Sequence, residues 1–84
     1  MTARFLASVV QARRPAAEAQ RRLRLGCQVW WTVNSAQGPS VTLAWLVGAN
    51  PLLGENLPLQ HIVDERAAEV VGAAVAFVKD VHAA

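Results

Sequence analysis

The sequence predicts an all-α fold, a small bundle of about four to five short helices in one domain spanning residues 1–84. Three observations predict it. Nothing in the chain alternates apolar and polar residues with period two, so a strand would find no partner. The last segment repeats Val70, Val71, Ala74, Val75, Phe77, Val78 and Val81 at helical spacing. Glycines and prolines divide the rest into short pieces.

The elements follow in order. The first helix is expected over Pro15–Leu25, with Pro15 in its first turn, Glu18 near the positive end of the dipole and the arginines near the negative end. Gly26 is its expected stop, and residues 1–14 are weakly amphipathic, helical or frayed. "CQVWWTVN" has strand-like residues in Val29, Trp30, Trp31 and Val33, but with no partner strand it reads as helix, continuous with the first or just after it. "NSAQGPS" reads as a loop. Ser40 is the expected cap of a third helix, "VTLAWLVG", ended by Gly48. Pro58 opens a short helix, "PLQHIV", and Asp64 is the expected cap of a last helix over 65–82. On that helix Glu65, Glu69, Gly72, Ala76 and Lys79 line the outer face. Ala68, Gly72 and Ala76 form a small-residue ridge on which another helix could approach closely. Glycine inside a helix costs about 1 kcal/mol relative to alanine, which sets Gly72 apart from a simple helix former.

A domain of 84 residues hides only a modest apolar core, yet 54% of this chain is apolar. The excess, with three tryptophans, points to a partner surface or a homodimer. Charge is unevenly placed. Arg4, Arg13, Arg14, Arg21, Arg22 and Arg24 against Glu18 give residues 1–24 a net charge of +5. Arg66 and Lys79 against Glu55, Asp64, Glu65, Glu69 and Asp80 give residues 25–84 a net charge of −3. A basic segment on an acidic body suits nucleic acid, a membrane surface or an acidic neighbour. Cys27 is the single cysteine, so no internal disulfide can form and a reducing cytoplasm is expected. "FLASVV" is too short for the core of a signal peptide. The uncharged run Leu25–Gly54 is broken by Asn, Gly and Pro, and a membrane span is not expected.

The stretch "WLVGANPLLGENLPLQHIV" keeps two leucines among its breakers. Pro51 and Pro58 push the residues before them toward extended geometry, and Gly54 between them can take a positive φ. On that fixed path Leu52 or Leu53 is expected to turn back into the core, where one buried leucine is worth roughly 1.5–3 kcal/mol.

These residues carry a resemblance. Trp45, Leu46, Asn50, Pro51, Leu53, Gly54, Pro58, Leu59, Ile62 and Val70 follow the order and spacing seen in the C-terminal, toxin-binding domain of Xre/MbcA/ParS-like antitoxins. The similarity covers about residues 40–79. Glu55 stands where that family often has a second glycine, and residues 1–25 have no counterpart in it. The resemblance implies an all-helical region over 40–84 that binds a RES-type toxin, an enzyme that consumes NAD. It also implies that the segment from Val78 to Ala84, including Lys79, Asp80, Val81 and His82, blocks the toxin's active site.

No catalytic constellation is visible. His61 and His82 are far apart in sequence and read as a packing residue and a helix-end residue. Cys27 has no paired histidine, and Cys27 with the two histidines lacks metal-ligand spacing. Glu65 and Glu69, one turn apart, read as solvated. No cofactor, metal or catalytic residue is therefore assigned. Nucleic acid is the competing partner. "VNSAQGPSVTLAWLVG" has the outline of a turn and a recognition helix, yet it offers only Ser40 and Thr42 to base edges. Phosphate contact by Arg13, Arg14, Arg21, Arg22 and Arg24 fits better and would be salt-sensitive. Trp45 is expected in the core. Trp30 and Trp31 point about 100° apart on a helix, so one of them is expected at a dimer or heteromeric interface. The expectation is a cytoplasmic, non-catalytic, antitoxin-like interaction module, with a small DNA-associated regulator as the alternative.

Overall fold

The computed structural model describes residues 2–83, with side chains from Ala16 to Val81. Residues 2–14, expected as helical or frayed, belong to a helix, while the expected contacts of Arg13, Arg14 and His82 lie outside the described side chains. Among the described residues there are four α-helices, α1 (Thr2–Gln37), α2 (Pro39–Leu46), α3 (Pro58–Val63) and α4 (Ala67–Ala83), with a 3-10 turn at Pro51–Leu53. The fold is all-α, as expected, but its first helix is long.

Helix α1 runs through both expected boundaries. Pro15 lies inside it, and Gly26 does not end it. A single glycine costs a helix only about 1 kcal/mol, less than the packing this stretch makes. A Cβ on Gly26 would lie 3.9 Å from Ile62 Cγ2, an ordinary contact, so α3 passes beside Gly26 without requiring a bare backbone there. The expected "NSAQGPS" loop contracts to Gly38 alone, whose N–H bonds the Asn34 carbonyl at 2.9 Å. Gly38 sits at φ 84°, which a residue with a side chain rarely adopts. It caps α2 in place of Ser40, with Pro39 in the first turn.

Asp64 does not cap the last helix; it closes α3. The Glu65 N–H bonds Ile62 O at 3.1 Å and the Arg66 N–H bonds His61 O at 2.9 Å, the paired bonds of a Schellman ending. Glu65, at φ 57°, takes the left-handed position of that motif, so α4 begins at Ala67 and not at residue 65. Glu65 is therefore not on α4 one turn before Glu69.

The core joins Leu25, Val29 and Val33 of α1 to Leu53, Ile62, and Val70, Ala73 and Ala74 of α4. The α1 residues recur every fourth position and so form one stripe. Helix α4 lies along that stripe. Its inward face is narrower than the sequence suggests. Val70 and Ala74 are buried and Phe77 packs on the core, but Val75 and Val81 stay exposed, while Ala73 is buried. Gly72 of the small-residue ridge is exposed, and a Cβ there would meet nothing within 4 Å.

Of the two central leucines, Leu53 is 5% exposed and Leu52 is 66% exposed. Leu53→Ala is accordingly expected to lower unfolding stability by about 2–5 kcal/mol, and Leu52→Ala by no more than about 0.5 kcal/mol. Urea midpoints of the two variants measure the difference.

Candidate functional site

The turn between α2 and α3 is built on Asn50. Its side-chain oxygen accepts the Leu52 N–H at 2.9 Å. Its carbonyl accepts Leu53 N–H at 3.0 Å and Glu55 N–H at 2.9 Å, and its own N–H bonds Asn56 O at 3.1 Å. Pro51 has no N–H to satisfy and opens the 3-10 turn. Gly54 at φ 63° and Glu55 at φ 67° reverse the chain, and Pro58 re-enters helix. Every residue of the Trp45, Asn50, Pro51, Leu53, Gly54, Pro58, Ile62 motif thus has a structural task. Trp45 is half-buried and its ring lies 6.0 Å from that of Phe77, tilted by 34°.

Above this turn lies an open groove between α2 and α4. Trp45, Leu52 and Phe77 give it apolar walls, Ala73 its floor and Asp80 a single carboxylate at the rim. Beside it, at the end of α4, Val78 is half-buried while Lys79, Asp80 and Val81 are exposed. The sequence indicated the α4 end but not the groove, because Leu52 and Asp80 are distant in sequence and meet only through the turn.

A second apolar hollow lies on α1. It is lined by Leu23, Gly26, Cys27, Trp30 and Trp31. Trp31 is 72% exposed and Leu23 67%, on the side of the helix away from Leu25, Val29 and Val33. Trp30 is half-buried. Leu23 was not singled out from sequence and Gly26 only as a helix stop, although their spacing of seven and four from Trp30 was the available signal.

The arginines have different occupations. Arg21 donates to Glu65 Oε1, and that bond and charge raise its pKa above the ordinary value. Arg22 donates to the Val63 carbonyl at 2.8 Å and lies 3.9 Å from Glu18. Arg24 is exposed and in no ion pair among the described residues. Thr42 is fully buried and donates to Gly38 O at 2.7 Å, so its hydroxyl cannot reach a base edge.

His61 is 5% exposed, with Nε2 3.0 Å from Glu69 Oε2 and Nδ1 buried without a partner. Glu69 is not merely solvated: it pairs with His61 and lies 3.6 Å from Arg66 Nη1. An imidazole held by a carboxylate on one edge and sealed on the other offers no nitrogen to a substrate. Among the described residues, no three His, Cys, Asp or Glu side chains gather as metal ligands. No described helix is long and apolar enough to cross a membrane. In comparisons with known proteins, the chain matches no family model, no curated protein and no solved structure.

Glu55 holds a left-handed conformation that costs a non-glycine residue roughly 1–2 kcal/mol. Glycine loses about 0.4–1 kcal/mol of that gain through its freer unfolded state. Glu55→Gly is therefore expected to stabilise the fold by about 0.5–1 kcal/mol, read as a higher urea midpoint with an unchanged slope.

Proposed function

We propose that this chain is a non-catalytic, antitoxin-like interaction module that binds a RES-type, NAD-consuming toxin and blocks it through α4 and the C-terminal tail. The observation that carries this reading is the pair Gly54 and Glu55, both at positive φ. The antitoxins that the sequence resembles often have two glycines there, and left-handed backbone is what makes glycine useful at both positions. The chain thus keeps the backbone that the motif needs while departing from its residue. Asn50, Pro51, Leu53 and Pro58 each serve the same turn, which supports a resemblance of structure and not of composition alone.

On this reading the turn holds α4 at a fixed angle so that its end projects from the body. Val78 anchors that end, and Lys79, Asp80 and Val81 supply exposed contacts of both charge signs and one apolar group. Inhibition is by occupation: a segment inserted in an active-site mouth excludes the substrate and needs no chemistry of its own. The phosphate-binding reading of the basic segment ranks second, because Arg21 and Arg22 already have partners within the chain.

Co-expression with a RES-type toxin tests the proposal. The full chain is expected to copurify with the toxin and to preserve cellular NAD. Lys79→Glu with Val81→Arg is expected to lose at least about tenfold in affinity, near 1.4 kcal/mol, with unchanged helicity. A folded wild-type chain that neither binds nor protects would remove the reading. Salt-sensitive DNA retardation in its place, lost on changing Arg13, Arg14, Arg21, Arg22 and Arg24 to Gln, would favour the alternative.

A further inference from the structure

We infer that the outer face of α2 is the seam of a weak antiparallel homodimer, in which Leu43 and Val47 of each copy pack on Ala44 and Ser40 of the other. The inference is independent of the toxin-blocking reading, whose contacts lie at the end of α4.

Helix α2 is turned inside out. Its one buried residue is a threonine, Thr42, at 0% exposure. Leu43 is 56% exposed and Val47, just past the last turn, 58%. A surface helix ordinarily buries its aliphatic side and wets its hydroxyls. Thr42 tolerates burial because its hydroxyl donates to Gly38 O at 2.7 Å, which leaves it with a partner. Leu43 and Val47 gain nothing comparable within one copy.

The orientation of α2 is held from both ends. Gly38 alone connects it to α1, and its φ of 84° sets the entry angle. Near the other end the Trp45 ring lies 6.0 Å from that of Phe77 in α4. Successive residues of a helix point about 100° apart. With Thr42 and Trp45 inward, Ser40, Leu43, Ala44 and Val47 fall on the opposite side, and all four are exposed. Rolling α2 to bury Leu43 would bring Thr42 and Trp45 out. The apolar face is therefore a fixed surface of the body.

Those four residues stand at i, i+3, i+4 and i+7, the row along which one helix packs on another. Their sizes suit a second copy. In an antiparallel pair with its two-fold axis between Leu43 and Ala44, Leu43 meets the second copy's Ala44 and Val47 meets its Ser40. The same contacts recur in reverse, as an isologous interface requires. Each large side chain then covers a small one. A parallel pair would set Leu43 on Leu43 and leave a gap at Ser40. Charge selects the same partner. No charged residue occurs from Leu25 to Gly54, so two identical faces meet without like charges opposed, and a charged partner finds nothing here to pair with.

The seam is short. The 8 residues of α2 span about 12 Å, too little for the roughly 1,200 Å² of a standard interface. The dimer is accordingly a reversible one, with a dissociation constant between about 1 μM and 1 mM.

Sedimentation of the full chain across that range tests the inference. The average mass is expected to rise from monomer toward dimer. Leu43→Glu and Ser40→Arg are each expected to remain monomeric with unchanged helicity. Ser40→Arg removes no apolar contact from the single copy, so its effect is not one of unfolding. In a Cys27→Ala background, Ser40→Cys copies mixed with Val47→Cys copies should cross-link on oxidation, while Ser40→Cys copies alone should not. A wild type monomeric throughout, a dimer that survives Leu43→Glu or Ser40→Arg, or self-cross-linking of Ser40→Cys would each overturn the inference. So would a monomeric wild type that uses Leu43 to bind a different protein.

Discussion

The fold depends on one side chain placed by one turn. Leu53 enters the core only because Asn50 bonds Leu52, Leu53, Glu55 and Asn56 in a closed set, and because Gly54 and Glu55 turn the backbone left-handed. Without that closure the segment between α2 and α3 would be a solvated loop, and Leu53 would be as exposed as Leu52. The inserted leucine joins the cluster that holds α1 and α4 together, with Trp45 and Phe77 packed on its margin. In a chain this short, with little core to spare, such a connection is part of the core and not a link around it.

Among the described residues, two apolar hollows lie outside the assembled core. The groove of Trp45, Leu52, Phe77 and Asp80 adjoins the end of α4, where the antitoxin-like reading puts the partner. The hollow of Leu23, Cys27, Trp30 and Trp31 lies on the outer side of α1. Helix α1 is therefore two-faced. Leu25, Val29 and Val33 hold the body together, and the opposite face exposes Leu23 and Trp31. This accounts for a composition richer in apolar residues than one small core can use. His61, buried and clamped by Glu69, serves the junction of α3 with α4.

Much of this was legible in the residues. The helix class, the bounds of α3 from Pro58 to Val63 and the inward leucine all follow from breakers and spacing read locally. The boundaries of α1 did not follow, because a single glycine weakens a helix by only about 1 kcal/mol, less than the burial of Leu25, Val29 and Val33 around it returns. Asp64 looked like a cap for the helix after it, but Glu65 completes a Schellman ending and draws Asp64 into the helix before it. Val75 fits the apolar stripe of α4 by period, yet lies outside the arc that α1 covers. For the surfaces, Trp30 and Trp31 were visible as an anomaly, since two adjacent indoles cannot both face one core. The groove was not visible, because its walls are distant in sequence.

Hydrogen exchange at single-residue resolution tests the claim about the turn most directly. If Asn50 and Leu53 tie it into the core, the amides of Leu53 and Glu55 exchange only with global unfolding, as slowly as those of Val70 and Ala74 in α4. Exchange of the two turn amides at rates close to those of an unstructured chain, while α4 stays protected, would contradict it.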